Sequence, residues 1–129
     1  ELSGISVSTL EATMDEKHRA LISNVVEYIK RNSSDITAVS QIADHFGYNP
    51  EYLTTLVKKS TGLSIIEHIN RERCKEAKRY LLSTSLTVSE IAEKCGFSDP
   101  KYFSRIFRRL TDTTPSEYRN AYFKIHTSR

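Results

Sequence analysis

The sequence predicts an all-α protein in which one helical unit is used twice. The 129 residues include only three Pro and four Gly, the residues that most often interrupt a helix. Apolar residues recur mostly at helical spacing, and no long alternating strand pattern occurs. One segment occurs twice along the chain, and it is the main evidence for the architecture.

The composition is that of a globular chain without a membrane span. Hydrophobic residues make up 38%, charged residues 27%, and the net charge is +3. No apolar run approaches the ~18 residues of a spanning helix. Cys74 and Cys95 form no CxxC pair and are expected to be buried, reduced thiols. The four histidines are not clustered, so we expect no metal and no cofactor.

The chain begins with "ELSGISVSTLEAT", which is Ser/Thr-rich and only weakly periodic. We interpret residues 1–14 as a linker or the tail of a preceding domain. From Asp15, "DEKHRALISNVVEYIKRN" predicts the first helix, with acidic residues at its start and basic residues at its end, as the helix dipole favours. Its apolar face comprises Leu21, Ile22, Val25, Val26 and Ile29.

The repeat follows. "VSQIADHFGYNPEYLTTLVKKSTG" begins at Val39, and "VSEIAEKCGFSDPKYFSRIFRRLTD" begins at Val88. Each copy is predicted to be a short helix, a Gly-containing turn, and a second helix with Pro in its first turn. Thr87 and Glu90 form a predicted capping box. This order is typical of a helix-turn-helix, and two aligned copies strengthen the prediction.

Between the copies, "SIIEHINRERCKEAKRYLLSTS" predicts one helix from about Ser64 to Leu82. At ~1.5 Å per residue it would span roughly 28 Å and act as a spacer. We therefore predict a first helix-turn-helix unit at 15–63, a linker helix at 64–83 and a second unit at 84–129.

The second helix of each copy is amphipathic. At ~100° per residue, the outward side of the first comprises Glu51, Thr54, Thr55 and Lys58, with Lys59 beside it. The matching residues of the second are Lys101, Ser104, Arg105 and Arg108, with Arg109 beside them. A charged helix side is usually only solvated surface. Here, however, the basic side lacks acidic partners at i,i+4, carries residue types that contact base edges, and occurs twice.

The segments "GFSDPKYFSRIFRRLTDTTPSEYR" and "INRERCKEAKRYLLSTSLTVSEIAEKCGF" resemble the AraC/XylS family of bacterial transcription regulators. The resemblance covers about residues 17–122. It implies seven helices in two helix-turn-helix subdomains joined by a long helix, with the third and sixth helices entering successive major grooves of double-stranded DNA.

Carried over from that resemblance, the eight outward residues named above are predicted to read bases. The predicted phosphate contacts are Ser40, Asn49, Lys59, Ser89, Ser98 and Arg109. One position departs from the family, which usually has Gly where this chain has Asp112. Since Asp tolerates a left-handed cap at some cost, the turn should form with lower stability.

Two other classes of function are weighed against DNA reading. The first is a helical interaction module that recruits RNA polymerase without reading bases itself. The second is an enzyme, for which the sequence offers neither an activated cysteine nor paired carboxylates or a phosphate loop. We therefore expect no catalysis. The resemblance further implies a bacterial cytoplasmic (nucleoid) location and a preceding sensor or receiver domain that could dimerise.

Overall fold

The computed structural model describes the backbone of residues 7–127 and the side chains of residues 15–122. The described chain forms seven α-helices, and no β-strand occurs within it. The all-α, seven-helix prediction is therefore confirmed. The helices are α1 (Val7–Asn32), α2 (Val39–Phe46), α3 (Pro50–Thr61), α4 (Ile65–Ser83), α5 (Val88–Lys94), α6 (Pro100–Thr111) and α7 (Pro115–Thr127).

The first helix begins earlier than predicted. It starts at Val7 rather than Asp15, because no Pro or Gly lies between these positions to stop the helix from extending towards the N-terminus. Its first turn therefore contains no acidic residue, contrary to our expectation, whereas Lys30 and Arg31 do lie in its last turn. That residues 1–14 belong to a linker stays a prediction, and residues 1–6 lie outside the described residues.

Helix α4 belongs to two hydrophobic cores. Ile65 and Ile69 are buried in the first core, which is built from α1, α2 and α3. Further along α4, Cys74, Ala77 and Leu81 are buried in the second core with α5 and α6. The spacer helix is thus part of both units. Its apolar residues are buried in the first core at its N-terminal end and in the second core further along.

Side-chain and backbone contacts fix the two units against each other. Arg73, on α4, donates from Nε to the Ser33 carbonyl at 2.9 Å and from Nη2 to the Ile36 carbonyl at 2.6 Å. Its guanidinium also lies 5.4 Å from the centre of the Phe97 ring. One side chain therefore joins the α1–α2 loop of the first unit to the turn of the second.

Helix α7 holds the α4–α5 loop in a similar way. Arg119 donates to the backbone carbonyls of Leu81, Thr84 and Leu86 at 3.0, 3.2 and 2.6 Å. The Leu81 carbonyl lies in the last turn of α4, where it has no partner within the helix, and the other two carbonyls belong to the loop that follows. Within residues 7–127, no helix combines the length and apolarity needed to cross a bilayer.

Candidate nucleic-acid interface

The outward sides of α3 and α6 have the same pattern of exposure. The first, third and fourth positions are exposed and the second is half-buried in both helices. The residues are Glu51, Thr54, Thr55 and Lys58 in α3, and Lys101, Ser104, Arg105 and Arg108 in α6. On the opposite sides, Leu53 and Val57 of α3 and Phe103 and Phe107 of α6 have no exposed surface. The structure thus presents both predicted sets of base-reading residues to solvent.

Both helices begin with a polar cap followed by Pro. Asn49 Oδ1 accepts from the backbone N–H groups of Glu51 and Tyr52 at 2.9 and 3.1 Å. At the start of α6 the cap is Asp99, whose Oδ1 accepts from the Lys101 N–H at 3.0 Å, rather than Ser98. A carboxylate therefore stands at the α6 N-terminus, where the sequence suggested a phosphate. Ser98 is exposed one residue earlier and stays a predicted contact.

The remaining predicted phosphate contacts are all exposed. Ser40 and Ser89 are each the second residue of the supporting helix, α2 or α5. Lys59 and Arg109 occupy equivalent places beside the outward sides of α3 and α6. The predicted capping box at the start of α5 is confirmed, with Thr87 and Glu90 bonded reciprocally at 3.1 Å.

The tyrosines within α3 and α6, Tyr52 and Tyr102, each have a hydrogen-bond partner at the hydroxyl. Tyr52 is 44% exposed and its OH lies 3.1 Å from His18 Nε2. Tyr102 is half-buried against the second core, and its OH accepts from Asn70 Nδ2 at 3.0 Å. The guanidinium of Arg105 lies 5.5 Å from the centre of the Tyr102 ring, a cation–π contact that orients it. Tyr102 therefore supports Arg105.

The basic sides have no acidic partner at i,i+4 on their own helix, but in the folded chain each gains one from the helix that follows. Lys58 Nζ lies 3.5 Å from Glu67 Oε1, and Arg108 Nη1 lies 3.6 Å from Glu117 Oε1. Hydrogen bonds from the Thr114 backbone and hydroxyl, with Arg108 adding less, lower the pKa of Glu117. Partial desolvation alone would raise the pKa of Glu67. The charge of Lys58 and the hydrogen bonds from Ser64 outweigh this effect, and the pKa of Glu67 is lowered. Both glutamates are anionic at neutral pH.

Sequence reasoning missed a basic groove between α4 and α6. A depression of about 340 Å³ is lined by Arg71, Lys75 and Lys78 of α4 together with Arg109 of α6. Its acidic residue, Glu72, pairs with Lys75 at 3.0 Å. The depression between α1 and α3, at the equivalent place in the first unit, has two cations, Arg19 and Lys59, and also Asp15. The three α4 cations recur at helical spacing, which could have indicated a basic side of the spacer helix. Periodicity does not show, however, that this side faces α6.

This chain is similar in sequence to known transcriptional regulators. A family model described as "Helix-turn-helix domain" matches residues 42–121. The HTH-type transcriptional regulator YijO of Escherichia coli (strain K12) is 35% identical over 106 residues, which are 82% of this chain and 38% of that protein. The chain spans 14% and 31% of two further curated relatives.

Solved structures have the same fold. The C-terminal domain of AraT, a response regulator from Geobacillus stearothermophilus, has a TM-score of 0.70 at 32% identity, covering 78% of this chain and 84% of that one. A probable AraC family transcriptional regulator from Rhodopseudomonas palustris has a TM-score of 0.72 at 26% identity, covering 79% and 96%.

Proposed function

This chain belongs to the AraC-type helix-turn-helix family, and from that membership we propose that it is the sequence-specific DNA-binding domain of a bacterial transcription regulator. It acts as a monomeric reader that places α3 and α6 in two successive major grooves on one side of the duplex. One observation carries the proposal. Helices α3 and α6 have equivalent outward sides with the same pattern of exposure, and both pack in cores that share α4.

The dimensions of α4 suit this arrangement. Successive major grooves on one side of B-DNA lie about 34 Å apart. Helix α4 has 19 residues and so spans about 28 Å. Both cores include α4, so its two ends hold the units at a fixed separation, and in the proposed complex this separation matches the groove repeat.

The two readers have different roles. Helix α6 presents Lys101, Arg105 and Arg108 without an acidic residue on its own outward side, and the groove beside Arg109 adds cations from α4. We assign most of the phosphate attraction and the steeper salt dependence to this second unit. Helix α3 presents Glu51 with Lys58, and Glu51 suits the amino group of a cytosine, so the first unit is the more selective and less adhesive one.

Individual roles follow from position and chemistry. The eight residues on the outward sides contact base edges, Arg105 by paired donors to guanine. The phosphate contacts are Ser40, Asn49, Lys59, Ser89, Ser98 and Arg109, to which we add Arg71 and Lys78 from the groove.

The site of action is the chromosome in the bacterial cytoplasm. AraT is named as a response regulator, which supports a role as the output of a two-component system.

The test is selection from a pool of duplexes carrying about 30 randomised base pairs, enough for two grooves in tandem. Enrichment of two different boxes about one helical turn apart is the expected result. A single box with random flanks would restrict base reading to one unit and contradict tandem reading. The absence of any enriched sequence would contradict sequence-specific binding and favour the interaction module that recruits RNA polymerase.

A further inference from the structure

The two reading helices end in the same ion pair. The cations Lys58 and Arg108 are each the last of the four outward positions, and their partners Glu67 and Glu117 are each the third residue of the helix that follows. The pair joins different helices across a turn, at 3.5 Å in the first unit and 3.6 Å in the second. Its recurrence in both units marks it as a feature of the interface rather than an isolated surface contact.

Hydrogen bonds to the helix starts hold both glutamates in place. Glu117 Oε1 accepts from the Thr114 N–H at 2.8 Å, while the Glu117 N–H donates to Thr114 Oγ1 at 3.1 Å. The Glu67 N–H donates to Ser64 Oγ at 3.1 Å. A carboxylate in the first turn is also favoured by the helix dipole. The Glu117 carboxylate is therefore held at the start of α7 beside Arg108, while Glu67 is held by the bond of its backbone to Ser64 and by its ion pair with Lys58.

The pairs do not bury the cations. The Lys58 and Arg108 side chains remain 56% and 63% exposed, and both N···O distances exceed those of a strong charged hydrogen bond. Each cation can still extend to a base edge. A phosphate that approaches the same cation, however, also approaches the neighbouring carboxylate. Because both groups are negative, they repel, and this repulsion weakens the contact between the phosphate and the cation.

We propose that Glu67 and Glu117 are specificity-determining residues, which weaken contacts of Lys58 and Arg108 with phosphates more than contacts with base edges. They widen the gap between specific and non-specific affinity at the end of each reading helix. The inference rests on the proposed function and adds to it a role for two acidic residues in a mainly basic surface.

The test compares E67Q, E117Q and the double variant with the unchanged 129-residue chain. Glutamine also serves at this capping position, so the helix starts are retained. The matched control is E90Q, because Glu90 has the same capping role at the start of α5 without a reading-helix cation as its ion-pair partner. Dissociation constants are measured across a salt series on a duplex enriched from the pool and on a scrambled duplex.

Each single substitution should tighten binding to the scrambled duplex and make the slope of log affinity against log salt steeper by about 0.9, the effect of one additional phosphate contact. The gain in affinity should therefore be roughly threefold larger at about 50 mM salt than at about 200 mM. Binding to the enriched duplex should change less, so the specificity ratio falls. E90Q, which removes the same charge beside the predicted phosphate contact Ser89, should change the specificity ratio much less than E67Q or E117Q. If E117Q behaves like E90Q, or weakens binding to both duplexes equally, the inference is wrong.

A second variant identifies the route of the effect. In a chain carrying Arg108→Ala, the added E117Q should have little further effect, because the carboxylate acts through Arg108. An undiminished effect there would contradict that route. Failure of the proposed function is seen separately: an unchanged chain that binds enriched and scrambled DNA equally contradicts both proposals, whereas a selective chain unaffected by E67Q and E117Q contradicts only this one.

Discussion

At the scale of single residues, orientation decides which cations can reach a base. Arg105 projects from the middle of the outward side of α6 and lies against the ring of Tyr102, whose own hydroxyl is bonded to Asn70. This chain of contacts limits the rotamers of Arg105 before DNA arrives. A side chain that is already oriented loses less conformational entropy on binding, which favours a directional contact.

Arg105→Ala should weaken binding to the enriched duplex by about 1–3 kcal/mol and relax selection at one base position. The reason is the loss of the paired hydrogen bonds that we propose Arg105 makes to one base. The measurement is a titration against the enriched duplex and against variants of its second box. The control is Arg31→Ala, which removes an exposed arginine paired with Glu27 on α1. An equal loss on every sequence would show that Arg105 contacts phosphate only.

The two cysteines should be unreactive in the folded chain. Burial raises the pKa of Cys74 to about 12 and that of Cys95 to about 11, and both thiols are free. Near pH 8 almost no nucleophilic thiolate is present. An aromatic disulfide reagent should therefore modify neither thiol until urea unfolds the chain. Modification of either at the rate of a small free thiol would contradict this packing.

At the scale of helices, the turns after the two reading helices are equivalent but chemically different. Gly62 ends α3 with φ 82°, and Asp112 ends α6 with φ 64°, both in the left-handed region. Each backbone N–H still donates to a carbonyl in the last turn, that of Lys58 or Arg108. The turn forms with Asp as expected, but a residue with a side chain is strained there.

Asp112→Gly should raise the free energy of unfolding by about 0.5–1 kcal/mol, since glycine adopts this conformation without a steric cost. The reverse change, Gly62→Asp, should lower it by a similar amount. A Cβ at Gly62 would meet no atom within 4 Å, so backbone conformation alone is tested. Urea unfolding measures both variants. A stabilising Gly62→Asp would contradict the strain argument.

At the scale of the whole molecule, the relative placement of the two units determines whether one chain can read two grooves. Besides the shared α4, that placement depends on the turn of the second unit approaching the α1–α2 loop. A Cβ on Gly96 would lie 2.8 Å from the Ser34 carbonyl oxygen, a separation at which the backbone must shift. Gly96 is thus required by packing between units as well as by its φ of 99°.

Gly96→Ala should destabilise the chain by about 1–3 kcal/mol more than Gly47→Ala. Both glycines have positive φ, but a Cβ at Gly47 meets nothing within 4 Å, so the difference isolates the contact between units. Urea unfolding gives the stabilities. Gly96→Ala should also lose affinity for the two-box duplex while retaining affinity for a single box. Equal stabilities for the two variants would show that the close contact is unimportant.

The helices, the repeat and the exposed sides could all be predicted from the sequence. These depend on local information: apolar spacing, Pro and Gly at the turns, and caps such as Asn49 and Thr87 act within a few residues. The alignment of the two copies pairs Glu51 with Lys101 and Lys58 with Arg108 without the help of any tertiary contact. The error at the start of α1 was also local, because weak periodicity before Asp15 hid the helical residues from Val7 onwards.

The surroundings of those exposed sides could not be predicted in the same way, because they depend on how the helices pack. The carboxylates beside Lys58 and Arg108 come from the following helices, the bonds of Arg73 to Ser33 and Ile36 join distant parts of the chain, and the groove beside Arg109 takes its other cations from α4. Such contacts depend on the angles between helices, which the packing of the two cores sets. Periodicity fixes the side of a helix on which a residue lies, but not the neighbouring helix that side meets.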